Sequence, residues 1–149
     1  MNNNTKVIII STLLALSSAS TQSAEMRPLL EAMKANSVEQ AVAYAGRRCT
    51  ALYLGMHSRF AKSGRPDIDE LTQDLWNKYM SWMKVGFALT LRERENNGDG
   101  ITFFESSVRG IAEGYGDVWN RNSDLTGSLF GEMTNQDDQV CTMLYEELK

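Results

Sequence analysis

The sequence predicts an all-α fold: a small antiparallel bundle of four main helices, preceded by a short helix and joined by one disulfide. Apolar residues recur at three- and four-residue spacing through four long segments, which is typical of amphipathic helices. No segment shows the sustained apolar–polar alternation of a half-buried strand. The only prolines are Pro28 and Pro66, so long helices can run without interruption, and short connections favour antiparallel neighbours.

The first 24 residues have the layout of a secretory signal peptide. A polar start with the single charge of Lys6 precedes the apolar run Val7–Leu16, and small polar residues follow up to Ala24. The apolar run is too short to span a bilayer. We expect cleavage between residues 19 and 24, which leaves 25–149 as a single helical domain, periplasmic or secreted, with no stable membrane insertion.

The start of the mature chain predicts a short helix followed by the first long one. Pro28 fits the first position of the short helix. Ser37 with Gln40 three residues later forms a capping-box pattern, which predicts the start of the long helix. Gly64 and Pro66 end it. Its apolar face comprises Val38, Ala41, Val42, Ala45, Cys49, Leu52, Tyr53, Met56 and Phe60.

The second long helix opens near Asp67 and has two apolar stripes. The first comprises Ile68, Leu71, Leu75, Tyr79, Trp82, Gly86 and Leu89, and the second Trp76, Met80, Met83, Phe87 and Leu91. A helix that is apolar over so much of its circumference is either buried by several neighbours or presents a surface to a partner.

The last two helices follow a loop at Asn96–Gly100. Thr102 and Glu105 form a second capping-box pattern, which predicts the start of the third long helix. Its interior contains Gly110, Gly114 and Gly116. Glycines there either admit a close approach of another backbone or end the helix early. Asn120–Gly131 is polar and predicts a loop with at most one turn of helix, and the last helix runs from about Asn135 to Leu148.

The two cysteines begin nearly identical pentapeptides, CTALY at Cys49 and CTMLY at Cys141. In both, Cys, Leu and Tyr share one helical face at i, i+3 and i+4, so each cysteine is expected to face the core. An even cysteine count in an exported chain indicates a disulfide. We therefore predict a Cys49–Cys141 bridge.

The segment around Gly100 invites a calcium interpretation. With Gly100 at the sixth position of an EF-hand-like loop, Glu95, Asn97 and Asp99 occupy the first, third and fifth positions. The bidentate glutamate required at the twelfth position is one residue early, at Glu105. The sequence therefore favours a capped turn over a calcium site.

Metal and nucleophilic chemistry have little basis in this sequence. His57 is the only histidine, and no CxxC or HExxH motif is present. We therefore predict no catalytic residue, no metal site and no cofactor. One alternative is a copper-handling protein, because Met56, Met80 and Met83 with His57 would supply the soft ligands that Cu(I) prefers.

A second alternative is a hydrolase of an envelope polymer. Glycosidases use a pair of carboxylates across the scissile bond. Glu105, Glu113 and Asp117 are the candidates for that pair, although acidic side chains on a helix more often form a solvated face.

Charge is distributed unevenly along the chain, whose net charge is −4. Residues 25–65 carry seven Arg or Lys and three Asp or Glu, whereas residues 99–149 carry three and ten. The acidic balance argues against nucleic acid as a partner, since phosphate binding needs a basic surface. The two segments either pack together and neutralise each other or form two poles that steer a charged partner.

The sequence thus predicts an exported binding or accessory protein whose partner is another protein, for example as an inhibitor or an immunity-type factor. Two surfaces are candidates. The apolar one comprises Trp76, Met80 and Met83, and the basic one comprises Arg47, Arg48, His57 and Arg59.

Overall fold

The computed structural model describes residues 26–148, which form five α-helices. These are α1 (Leu29–Met33), α2 (Val38–Ala61), α3 (Asp69–Glu93), α4 (Gly100–Thr126) and α5 (Glu132–Leu148). Short 3-10 turns precede α3 and α4, and no strand occurs in the described part of the chain. The predicted fold class, four main helices plus a short N-terminal one, is confirmed. The predicted signal peptide lies outside the described residues, and no helix among 26–148 is long and apolar enough to cross a membrane.

Two of the predicted helix boundaries depend on capping side chains, and only one is confirmed. At the start of α2 the Ser37 hydroxyl accepts a hydrogen bond from the Gln40 backbone N–H at 3.4 Å. The Thr102–Glu105 capping box is wrong, since α4 begins earlier, at Gly100. Asp99 stands at the N-cap, but Arg94 donates to its carboxylate at 2.5 and 2.9 Å, so the turn before α4 is held by an ion pair.

The predicted loop at 120–131 is confirmed only in its second part: α4 continues to Thr126, and residues 127–131 connect it to α5, which begins at Glu132. Buried Trp119 donates from Nε1 to the Thr134 hydroxyl at 2.9 Å, which ties the end of α4 to α5. Gly127, with φ of +71°, then ends α4 in the left-handed conformation that glycine adopts without strain. Tertiary anchoring therefore outweighs the polar composition of this segment.

The Cys49–Cys141 disulfide forms as predicted and links α2 to α5 across 92 residues. Both cysteines are fully buried in the main core, which α2 shares with every other helix. Large side chains around them include Leu52, Tyr53, Leu75, Trp82, Tyr115 and Trp119. The bridge thus holds the last helix against the centre of the bundle.

Helices α2 and α3 approach most closely at Gly46 and Gly86. A Cβ added to Gly86 would lie 2.6 Å from the Gly46 carbonyl oxygen and 2.7 Å from its carbon. The close backbone contact suggested for the α4 glycines does not occur there: nothing lies within 4 Å of a Cβ added at Gly110, and at Gly114 the near neighbour is the Met26 side chain.

We expect Gly86→Ala to lower the free energy of unfolding by about 1–3 kcal/mol, since the new methyl group would force the two backbones apart. Gly110→Ala is the matched control: its methyl group enters open space, and it should be neutral or stabilising by up to about 1 kcal/mol. Urea unfolding of both variants measures the difference. Equal stabilities would show that the Gly46–Gly86 contact is not tight.

Candidate functional site

A groove lies between α2, α3 and α4, with a volume of about 1190 Å³. Its apolar floor is formed by Leu54, Met83, Phe87, Phe104, Val108 and Ala112. Around Ala51, Phe104 and Val108 this floor forms a second, smaller core, and several of its members remain partly accessible to solvent. Pockets of mostly apolar lining with a few polar groups are typical of binding sites.

The groove follows from four-residue spacing on its helices. Phe104, Val108 and Ala112 lie on one face of α4, and Met83 and Phe87 on one face of α3. At one end, the Phe87 and Phe104 rings meet edge to face, with centroids 5.4 Å apart. At the other end the Trp119 ring of α4 lies against α2, where a Cβ added at Gly55 would be 2.8 Å from it.

Charged side chains border the groove. Its lining includes four cations, Arg59, Lys62, Lys84 and Arg109, and two acids, Glu105 and Glu113. The groove is therefore a locally basic site on a chain whose net charge is −4.

Among the groove cations, Arg59 is held in place. It donates to the Asn120 side-chain oxygen at 2.8 Å and to the Gly116 carbonyl at 3.4 Å. Its guanidinium also lies over the Trp119 ring, 5.8 Å from the centroid. These contacts fix a positive charge at the Trp119 end of the groove.

The predicted apolar surface is divided between the groove and its margin. Met83 lines the groove. Trp76 is 40% exposed, and its ring lies 5.1 Å from His57 and 5.2 Å from Tyr79, centroid to centroid. Met80 is half-buried. Of the predicted basic surface, Arg59 lies in the groove, while His57 packs against Trp76.

Arg47 and Arg48 are corrections to that predicted surface, because both are buried. Arg47 donates to Thr90 at 3.2 Å and forms an ion pair with Glu93 on α3. Arg48 donates to Asp137 on α5 at 2.6 and 3.0 Å. Two consecutive arginines thus hold α2 to two different helices, and neither is available to a partner.

Asp137 is the centre of a buried polar cluster. Besides Arg48 it accepts hydrogen bonds from the Tyr115 hydroxyl and, at 2.6 Å, from the Leu29 backbone N–H. Burial lowers the pKa of Arg48, but Tyr115 and Asp137 outweigh it, and the pKa is raised overall. Burial also raises the pKa of Tyr115 well above its ordinary value. The guanidinium therefore stays charged and the phenol stays protonated as a donor.

The alternative catalytic carboxylates are only partly brought together. Glu105 and Glu113 line the groove, and Asp117 does not. All three are exposed. Glu105 and Glu113 are eight residues apart on α4, a rise of about 12 Å along the helix axis. Inverting glycosidases place their carboxyl groups about 6.5–9.5 Å apart, and retaining ones closer.

The ion-binding alternatives concern other parts of the surface. Asp99, the fifth position of the calcium-like loop, is paired with Arg94, which places a cation where Ca²⁺ would need a free carboxylate. Among residues 26–148, no group of three or more His, Cys, Asp or Glu side chains is arranged to hold a metal ion. Met56 packs against the main core, and the Tyr79 hydroxyl lies 3.8 Å from the Met83 sulfur.

Sequence reasoning missed most of the groove. Leu54, Lys84, Phe104 and Arg109 were not singled out as a site, because each belongs to a different helix or face and only packing brings them together. One signal was present: the second apolar stripe of α3 contains Met83 and Phe87, two residues of the floor. No protein-family model, curated protein or solved structure matches this chain.

Proposed function

We propose that this chain is an exported binding protein that holds its ligand in the groove between α2, α3 and α4. The observation that carries this proposal is the groove itself, an accessible apolar floor bordered by cations. An apolar surface left open by a well-packed core is a typical binding site. The buried Cys49–Cys141 bridge supports export, since disulfides persist in oxidising compartments.

The rival function, hydrolysis of an envelope polymer, has one observation in its favour: Glu105 and Glu113 both line the groove. Their separation along α4 and the surrounding cations argue for binding instead. The hydrolase hypothesis requires release of reducing ends from purified peptidoglycan by the wild-type chain and loss of that release in Glu113→Gln. Absence of release would contradict the hydrolase hypothesis.

The binding proposal predicts that the folded protein takes up anilinonaphthalene sulfonate, an apolar dye with one negative charge, in the groove. Ala112→Trp should weaken this binding at least about tenfold, because the indole would fill space above the floor. Isothermal titration calorimetry measures the affinity.

Ala88→Trp is the matched control for this variant. Ala88 is exposed on α3 and does not line the groove, so the same indole should leave dye binding unchanged. Circular dichroism of both variants checks that the fold is retained. Equal dye affinity in Ala112→Trp and the wild type would contradict the assignment of the site.

A further inference from the structure

We infer that the ligand of the groove is an acidic amphipathic helix of a partner protein, about three to four turns long. This inference rests on the proposed function and adds the chemical class of the ligand. Three properties of the groove support it: its dimensions, the distribution of its charges, and its position in the bundle.

The dimensions match a helix laid lengthwise. The lining on α4 extends from Phe104 to Trp119, and at a rise of about 1.5 Å per residue this is about 22 Å. Thr50 to Lys62 on α2 gives about 18 Å in the same way. A length of about 20 Å corresponds to a helix of about 13 residues, or between three and four turns.

The four cations of the groove lie toward both of its ends. Arg59 and Lys62 lie near the α2 C-terminus, at the Trp119 end of the groove. Lys84 is one turn before Phe87, and Arg109 follows Phe104 by five residues, so these two lie toward the Phe87–Phe104 end. Glu105 lies at the same end and Glu113 between the two ends, so the six charged side chains give the groove a net charge of +2. A ligand with a single anionic head group would engage one end only. A helix with acidic residues on both flanks of its apolar stripe can engage both.

The position in the bundle supplies the packing surface. Helices α2, α3 and α4 all line the groove, so one more helix laid in it would pack against three helices at once. Floor residues at four-residue spacing, such as Phe104, Val108 and Ala112, form ridges that accept apolar residues at i, i+3, i+4 and i+7 of an added helix.

The probe for this inference is a synthetic helical peptide of about 16 residues with leucines at that spacing and glutamates on both flanks. A second peptide replaces every glutamate with lysine. We expect the acidic peptide to bind the wild-type chain at least about tenfold more tightly than the basic one, with an affinity that falls as salt is added.

Charge reversal in the groove should change the preference of the site. Lys84→Glu/Arg109→Glu is expected to weaken acidic-peptide binding at least about tenfold and to narrow or invert the preference between the two peptides. Arg27→Glu/Lys34→Glu makes the same change in net charge at exposed positions outside the groove, and it should leave both affinities nearly unchanged.

Three outcomes would overturn the helix as ligand. The first is equal binding of the acidic and basic peptides. The second is binding of decyl sulfate or palmitate, but of neither peptide, at a site that Ala112→Trp blocks. The third is a dimer in sedimentation velocity that Ala112→Trp makes monomeric, which would identify a second copy as the occupant. In the last two cases the groove would still be a binding site. The proposed function itself would be contradicted if the wild-type chain did not bind the dye, or if Ala112→Trp bound it equally well.

Discussion

Removing the Cys49–Cys141 disulfide is expected to lower the free energy of unfolding by about 4–5 kcal/mol. The bridge spans 92 residues, and closing so long a loop removes a large part of the conformational entropy of the unfolded chain. The loss is comparable with the whole stability of a small domain, which is about 5–15 kcal/mol. Both sulfurs are also fully buried, so their replacement by smaller groups adds a packing defect.

The measurement is urea unfolding of the Cys49→Ala/Cys141→Ala variant beside the wild type with and without a reducing agent. Reduced wild type serves as the control, since it loses the bridge while keeping both side chains. Its stability should fall by nearly as much as that of the variant. If the free energy of unfolding of the double variant lay within about 1 kcal/mol of that of the oxidised wild type, the unfolded chain would gain little conformational entropy when the bridge is removed.

The second large effect is expected at Asp137. Asp137→Ala should cost about 3–5 kcal/mol, because it leaves the fully buried Arg48 guanidinium without its counter-charge. The Tyr115 hydroxyl and the Leu29 backbone N–H lose their acceptor in the same step. Release of Leu29 should also detach α1, which the loss of helical circular dichroism and faster proteolysis near the N-terminus would report.

The neighbouring Asp138 provides the control. It accepts a hydrogen bond from the Tyr53 hydroxyl at 2.8 Å, and Asp138→Ala should cost only about 0.5–1.5 kcal/mol. Arg48→Met/Asp137→Leu should recover much of the stability lost in Asp137→Ala, since a buried pair replaced by apolar side chains leaves no unpaired charge. Similar losses for the two aspartates would contradict a central role for Asp137.

Asp137 and Asp138 also mark a limit of prediction. Side by side in the sequence, the two aspartates cannot be distinguished by residue type. A rotation of about 100° per residue separates them, so fully buried Asp137 points toward Arg48 and partly buried Asp138 toward the Tyr53 hydroxyl. Similarly, Arg47 and Arg48 read as a basic surface but hold α2 to α3 and α5. Part of the opposite charge of the two chain segments is thus paired inside the bundle.

The groove could also be predicted only in part from the sequence. The second apolar stripe of α3 indicated surplus apolar surface, and Met83 and Phe87 from that stripe do form part of the floor. Which residues face them depends on the α2–α3 contact at Gly46 and Gly86 and on the ring contact of Phe87 with Phe104. Neither contact has a local signature, because both join positions far apart in the chain.

The sequence by itself determined the all-α class, the number of helices, the start of α2 at Ser37 and the Cys49–Cys141 pair. Helical periodicity and the capping contact between Ser37 and Gln40 depend only on residues a few positions apart. The disulfide follows from the cysteine count, because two cysteines allow a single pairing. The tertiary structure alone decided the true extent of α4, the burial of Arg47 and Arg48, and the groove. Their energies come from contacts between residues tens of positions apart, such as Trp119 with α5 and Arg48 with Asp137, and these exist only once the helices have packed.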